Sequence, residues 1–114
     1  MPTYNKGDVL IVLYPFTDGV GRKPRPAAVV SSPRLNAVSL DVVVVLITTN
    51  IQGPPGIGDF DLVDWRSLGL LAPSRLRTSR VAAVELTKVR RHLGALVPED
   101  FANLEQGLRD VFEL

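Results

Sequence analysis

Asp41-Val42-Val43-Val44-Val45-Leu46-Ile47-Thr48-Thr49-Asn50 is the most apolar stretch of the chain, and its reading decides the fold class. Consecutive valines followed by leucine and isoleucine favour extended backbone, because β-branched side chains are stiff in a helix and pack well on a pleated surface. The run's length and branching make it a central strand rather than a helix. Its end turns polar, and the following Gln52-Gly53-Pro54-Pro55-Gly56-Ile57-Gly58 can be neither helix nor sheet interior.

Working outward, residues 7–14 open on Gly7-Asp8 and continue as an aliphatic strand that stops at Pro15-Phe16. Residues 17–24 carry glycine, proline, Arg22 and Lys23 without periodicity and read as a basic loop. A second strand is expected over 26–31, with a turn over 32–36 before the central run. Downstream, Asp59-Phe60-Asp61-Leu62-Val63 alternates as a half-buried strand. Asp64 is placed to cap a short helix over 64–68 that Gly69 ends. Three short basic strands are expected over 74–77, 80–84 and 89–94. From Pro98 to the end, Phe101, Leu104, Leu108, Val111 and Phe112 recur at helical spacing, with Glu99 and Asp100 in the first turn, so an amphipathic helix lies on the sheet. Short strands followed by one terminal helix exclude a parallel α/β fold. The expected architecture is mainly β: a small barrel with a C-terminal α-helix and a short internal helix, in a single domain over 1–114.

The chain has 114 residues with no cysteine and one histidine, His92. Disulfides, thiolate nucleophiles, cysteine-based zinc sites and paired-imidazole catalysis are therefore excluded. No uncharged apolar run approaches a membrane span and the first residues are too polar for a signal peptide, so the expected location is the cytoplasm, with no membrane contact. The net charge of +1 conceals a split: residues 1–97 hold twelve Lys/Arg against seven Asp/Glu, while 98–114 hold one against five. A basic body with an acidic helix suits a polyanionic ligand bound away from that helix, although solvated surface explains such a split equally well. Asp59, Asp61 and Asp64 are the one carboxylate group that could hold Mg²⁺; alternate acids on a strand followed by a helix cap account for all three, and no metal or other cofactor is expected. His92 reads as a surface or structural histidine.

Four ordered segments resemble the MazF/PemK (Kid) family of toxins. They are Gly7-Asp8-Val9-Leu10-Ile11-Val12-Leu13-Tyr14-Pro15-Phe16-Thr17-Asp18-Gly19, the Arg25-Pro26-Ala27-Ala28-Val29-Val30-Ser31 strand, and Val44-Val45-Leu46-Ile47-Thr48-Thr49-Asn50. The last runs through Trp65, Gly69-Leu70-Leu71, Pro73-Ser74 and Arg77 to Arg90-Arg91-His92-Leu93-Gly94-Ala95-Leu96 and the helix. The resemblance implies an SH3-like barrel of the CcdB/MazF/PemK type and a homodimer with an RNA site at its groove. It also implies the toxin component of a type II toxin–antitoxin system, a metal-independent endoribonuclease that cuts single-stranded RNA. A cognate antitoxin is the implied protein partner, and operator DNA would be reached through it.

By the same resemblance the catalytic positions fall on Arg25 and Thr48. Where family members often carry an Arg-Thr or Ala-Thr pair, this chain has Ala82-Ala83, which puts substrate contacts near that strand in doubt. Without metal, the ribose 2′-hydroxyl is the simplest nucleophile, and the protein must stabilise the added negative charge. A guanidinium donates two aligned bonds to phosphate and stays charged, and Pro24 and Pro26 restrict the backbone on either side of Arg25. With a pKa above about 12, arginine is a poor base, so its expected role is electrostatic. Thr49 is as good a donor as Thr48, but strand alternation sends the two to opposite faces and the resemblance selects Thr48. Phe16, Arg22, Lys23, Thr49, Ser74 and Arg77 are the candidate RNA-binding residues; for Ser74 a turn serine is the simpler reading, and for the cations a solvated rim. Two other functions remain open, a gyrase-inhibiting toxin of the CcdB type and a catalytically silent corepressor.

Overall fold

The computed structural model describes residues 3–14 and 23–114. Six strands, β1 (Asp8–Leu13), β2 (Pro24–Val29), β3 (Asp41–Thr48), β4 (Asp59–Asp61), β5 (Arg75–Glu85) and β6 (Val89–Ala95), form one sheet in the order β4-β5-β3-β2-β1-β6. Every pairing is antiparallel. A four-residue helix, α1 (Pro33–Asn36), follows β2 where a turn was expected, capped by the Ser32 side chain on Leu35 N–H. The terminal helix, α2, spans Pro98–Phe112, and Glu113 leaves it in the left-handed conformation.

The valine run is the central strand β3, and both faces of the sheet are covered, which is why the run lacks alternation. Val45 and Ile47 join Val9, Ala28, Leu76 and Leu104 beneath α2. Val42 and Val44 join Leu10, Val12, Tyr14 and Val29 on the opposite face. Each fully buried aliphatic side chain of this size contributes about 1.5–3 kcal/mol. Tyr14 is buried with them and donates its hydroxyl to the Arg80 carbonyl; burial pushes its pKa up to about 12, against the opposing pull of Arg80.

Helix α2 lies on β5 and β4. Gly107 permits the approach, since a Cβ there would stand 2.7 Å from Thr78 side-chain atoms. Thr78 in turn gives both its N–H and its hydroxyl to the Gly58 carbonyl. The buried Asp100 carboxylate, in the first helical turn, accepts from the N–H groups of Val63 at 2.9 Å and Asp64 at 3.2 Å. It thereby complements the helix dipole and ties down the chain after β4.

Four expectations need correction. The strands expected over 74–77 and 80–84 are one strand, β5, whose register jumps from Arg77 opposite Leu46 to Val81 opposite Val45. The residues skipped form a bend that sequence alone presents as a gap, because Thr78 bonds Gly58 and packs on Gly107. The barrel is not closed by hydrogen bonds: among the described residues no ladder joins the edges β4 and β6. A 3₁₀ turn, Arg66–Leu68, packs on β6 in that seam, with Leu68 buried in the cluster of Val9 and Leu96. This turn is shorter than the expected helix and Trp65, not Asp64, occupies its N-cap, although Asp64 Oδ1 accepts from Ser67 N–H at 3.1 Å and Gly69 ends the turn at φ 74°. Lastly, the C-terminus is less packed than expected, with Phe112 52% and Leu114 83% exposed.

Candidate functional site

The prolines of β2 shape its surroundings. Val30 N–H bonds the Val43 carbonyl, and the period of two puts the nitrogens of residues 28, 26 and 24 on the same side, facing β3. Pro26 and Pro24 have no donor to offer there. The ladder to β3 accordingly ends at Ala27–Leu46, while the ladder to β1 continues to Pro24. Backbone pairing between β2 and β3 therefore stops short of residues 25 and 48.

Arg25 stands beyond the last β2–β3 pair. It is paired with Val12 of β1, and continuing the Ala27–Leu46 register by two residues sets it opposite Thr48. Thr48 is paired with Arg75, and Arg75 with Asp61. Directly opposed residues share a face, so Val12 with Arg25 and, separately, Thr48 with Arg75 and Asp61 form two rows that the continued register aligns, at the edge of the cluster holding Leu10, Val12 and Tyr14. The neighbouring row runs Leu10, Ala27, Leu46, Arg77, Asp59.

The members of the aligned rows differ in what they can still do. Arg25 is half-buried, and among the described residues no carboxylate pairs with it. Thr48 Oγ1 accepts from Asn50 N–H at 3.0 Å, which fixes its rotamer and leaves its own O–H able to donate. Arg75 is only 5% exposed and is spent: Nε reaches Asp61 at 2.7 Å, and Nη2 reaches the Gly53 carbonyl at 3.0 Å. The hydrogen bond to Asp61 raises its pKa above the ordinary arginine value, burial opposes, and the charges of Asp61 and Asp59 add to the rise. Arg75 thus anchors the chain after β3 through Nε and Nη2. Its signal was present in the sequence, since Arg75-Leu76-Arg77 and Asp59-Phe60-Asp61 are alternating triplets of opposite sign.

The other candidates scatter. Thr49 faces away from Thr48, as alternation demands, and lines an apolar cavity of about 460 Å³ with Ile11, Pro26, Leu70, Leu71 and Leu93. Arg77 is partly exposed and donates to Asp59 at 3.3 Å. Lys23 is exposed just before β2. Ser74 is buried and donates its hydroxyl to the Ala72 carbonyl at 2.9 Å, the turn role that was the simpler reading of it. Phe16 and Arg22 lie outside the described residues. Each acid of the carboxylate group has its own partner, Arg77 for Asp59, Arg75 for Asp61 and the Ser67 N–H for Asp64. His92 lies 3.5 Å from the Asp8 carboxylate and edge-on to Tyr4. Ala82 is buried in the core beneath this face, and Ala83 is exposed on the other.

Residues 5–112 match the family model of the PemK-like, MazF-like toxin of type II toxin-antitoxin systems. The chain belongs to this toxin family. Comparison of the toxin with curated protein sequences finds no match. Its fold is shared with an endoribonuclease in complex with its cognate antitoxin from a mycobacterial species, at a TM-score of 0.76 and 19% identity over 97% of this chain and 96% of that one. Mycobacterium tuberculosis toxin MazF-mt6 superposes with a TM-score of 0.75 at 20% identity over 94% and 97%. MazF from Deinococcus radiodurans gives 0.76 at 17% identity over the whole of both chains. The toxin's six-stranded antiparallel sheet with a C-terminal helix is thus the MazF-like fold. Among its described residues no helix is long and apolar enough to cross a membrane.

Proposed function

We propose that the toxin is an endoribonuclease that cleaves single-stranded RNA, mRNA included, without a metal ion, and so inhibits translation and growth. The observation that supports the reading is strand register: among the described residues no carboxylate pairs with Arg25, Thr48 Oγ1 accepts from Asn50 N–H and can still donate, and continuing the β2–β3 register beyond its last pair sets the two residues opposite each other. The substrate's 2′-hydroxyl gives its proton to solvent and attacks the adjacent phosphorus, a phosphorane forms, and the 5′-oxygen leaves and takes a proton from solvent. The products are a 2′,3′-cyclic phosphate and a 5′-hydroxyl. Arg25 neutralises the charge gained by the phosphorane and Thr48 donates to one of its oxygens. Lys23 adds phosphate-binding charge and Arg77 a further contact to the RNA.

In this reading residues 1–114 act as one domain in the cytoplasm. The toxin works as a homodimer whose groove binds RNA, is held inactive by a cognate antitoxin, and meets operator DNA only through that antitoxin. Incubation of purified toxin with single-stranded RNA in EDTA, followed by end-group analysis, tests the chemistry. Cleavage that persists and leaves a cyclic or 3′-phosphate with a 5′-hydroxyl is expected; a strict Mg²⁺ requirement refutes it. The exposed Phe112 and Leu114 favour one second reading, a CcdB-type toxin that acts by protein contact. It requires inhibition of DNA gyrase by intact toxin and no RNA cleavage in the same preparation.

A further inference from the structure

Beyond Thr48 the chain encloses a polar cavity of about 350 Å³ whose walls include Asn50, Gln52, Gly56, Asp59, Arg75 and Arg77. That volume lies at the low end of ligand pockets, which suits a single nucleobase. The two arginines in its wall are used differently. Arg75 directs Nε and Nη2 to Asp61 and Nη2 also to Gly53, so it holds the wall together. Arg77 donates only Nε, to Asp59, and its two terminal amino groups have no partner among the described residues. With a side chain 35% exposed, it presents an unused planar fork to the cavity.

We infer that this cavity is a guanine-reading subsite adjoining the cleaved phosphodiester, with Arg77 as the reader. The inference rests on the ribonuclease reading above. Its position follows from the register: Arg77 is paired with Leu46, one step along the same face from Thr48, and Asn50 is bonded through its N–H to Thr48 itself. A base seated there belongs to a nucleotide flanking the scissile bond. The choice of base follows from donors and acceptors. A guanidinium fork matches the adjacent O6 and N7 acceptors of guanine, whereas adenine sets an amino donor where O6 would be. Gln52 donates Nε2 to Asn50 Oδ1 at 3.3 Å, which leaves its own carbonyl oxygen to accept from the guanine N1–H or amino group. Asp59 is oriented by Gly56 N–H as well as by Arg77, and it holds the fork in its plane. Single-stranded RNA exposes these base edges, and no duplex groove is needed.

Two measurements on the whole toxin test the assignment. In the first, RNAs randomised around the cut are cleaved by the wild type, Arg77→Gln and Arg77→Lys. The wild type should favour guanine at one flanking position by about 10- to 100-fold. Both variants should lose that ratio through slower cleavage of the guanine substrate; lysine keeps the ion pair with Asp59, so its failure is not a folding failure. In the second, guanosine, adenosine, cytidine and uridine are titrated into the Thr48→Val protein, and resonances of residues 50–59 and the Arg77 Nε–H are followed. Guanosine should move them at lower concentration than the others. No guanine preference beside the cut, a preference that survives both Arg77 variants, or stronger shifts with cytidine overturns the subsite. Efficient cleavage with no guanine preference sinks the subsite alone, whereas guanosine shifts in a protein that cuts no RNA retain the subsite and sink the ribonuclease reading.

Discussion

Replacing Arg25 with alanine isolates the charge on which the proposed chemistry depends. The phosphorane carries one more negative charge than the ground-state diester, so the catalytic contribution of the guanidinium is its interaction with that additional charge. At about 4 Å and the effective dielectric of about 20 that suits a half-buried site, the interaction is about 4 kcal/mol. Each decade in rate corresponds to about 1.4 kcal/mol, so Arg25→Ala should slow single-turnover cleavage about 10³-fold. The fold should barely notice, because Arg25 has no ion pair among the described residues and substitutions of this kind usually lie within about 0.5 kcal/mol. Arg25→Lys should recover only part of the loss, since an ammonium keeps the charge without the two coplanar bonds. The assay is cleavage of a labelled RNA under single-turnover conditions beside urea denaturation of each variant. A variant that folds normally and cuts within tenfold of the parent would refute the electrostatic role.

Thr48→Val is nearly isosteric and removes both the outward donor and the acceptor for Asn50 N–H; a loss of about 10- to 100-fold in single-turnover rate is expected, with the Arg25→Ala loss larger. Gly107→Ala drives a methyl to 2.7 Å from Thr78 and should destabilise the toxin by about 1–3 kcal/mol in urea, while Gly69→Ala, with nothing near its Cβ, should report only the strain of its positive φ. Tyr14 gives a pH signature. Its folded pKa is raised from 10.0 to about 12, so above pH 10 the folded state retains a proton that the unfolded state has lost. Stability supported by the neutral phenol is complete below pH 10 and falls as pH climbs from 10 towards 12, by at most roughly 2–3 kcal/mol. The difference between wild type and Tyr14→Phe, measured by denaturation across that window, should shrink accordingly, and a difference independent of pH would contradict the assignment.

Much of the architecture was legible from local pattern. The valine run over 42–45 read as a central strand, Phe101, Leu104 and Leu108 declared the packed stripe of α2, and Asp64 with Gly69 bracketed a short turn. Arg25 between two prolines was conspicuous because proline acts on its immediate neighbours. These signals depend on residues within a few positions of one another, and backbone sterics and side-chain periodicity carry them without help from the rest of the chain.

What tertiary structure alone decided is which distant residues share a row. Thr48 and Arg75 lie far apart along the chain, as do Arg75 and Asp61, and a slip of one residue in either ladder would send the partners to opposite faces. The bend at Thr78 sets that register, and it is anchored by Gly58 and Gly107 from two other elements. For the same reason Arg75, whose charge alone reads as solvated, is buried against Asp61, while Ser74 takes the turn role that its place after proline already suggested. Composition and spacing name the charges available; only the non-local pairing of strands determines which of them are spent on each other and which remain for a ligand.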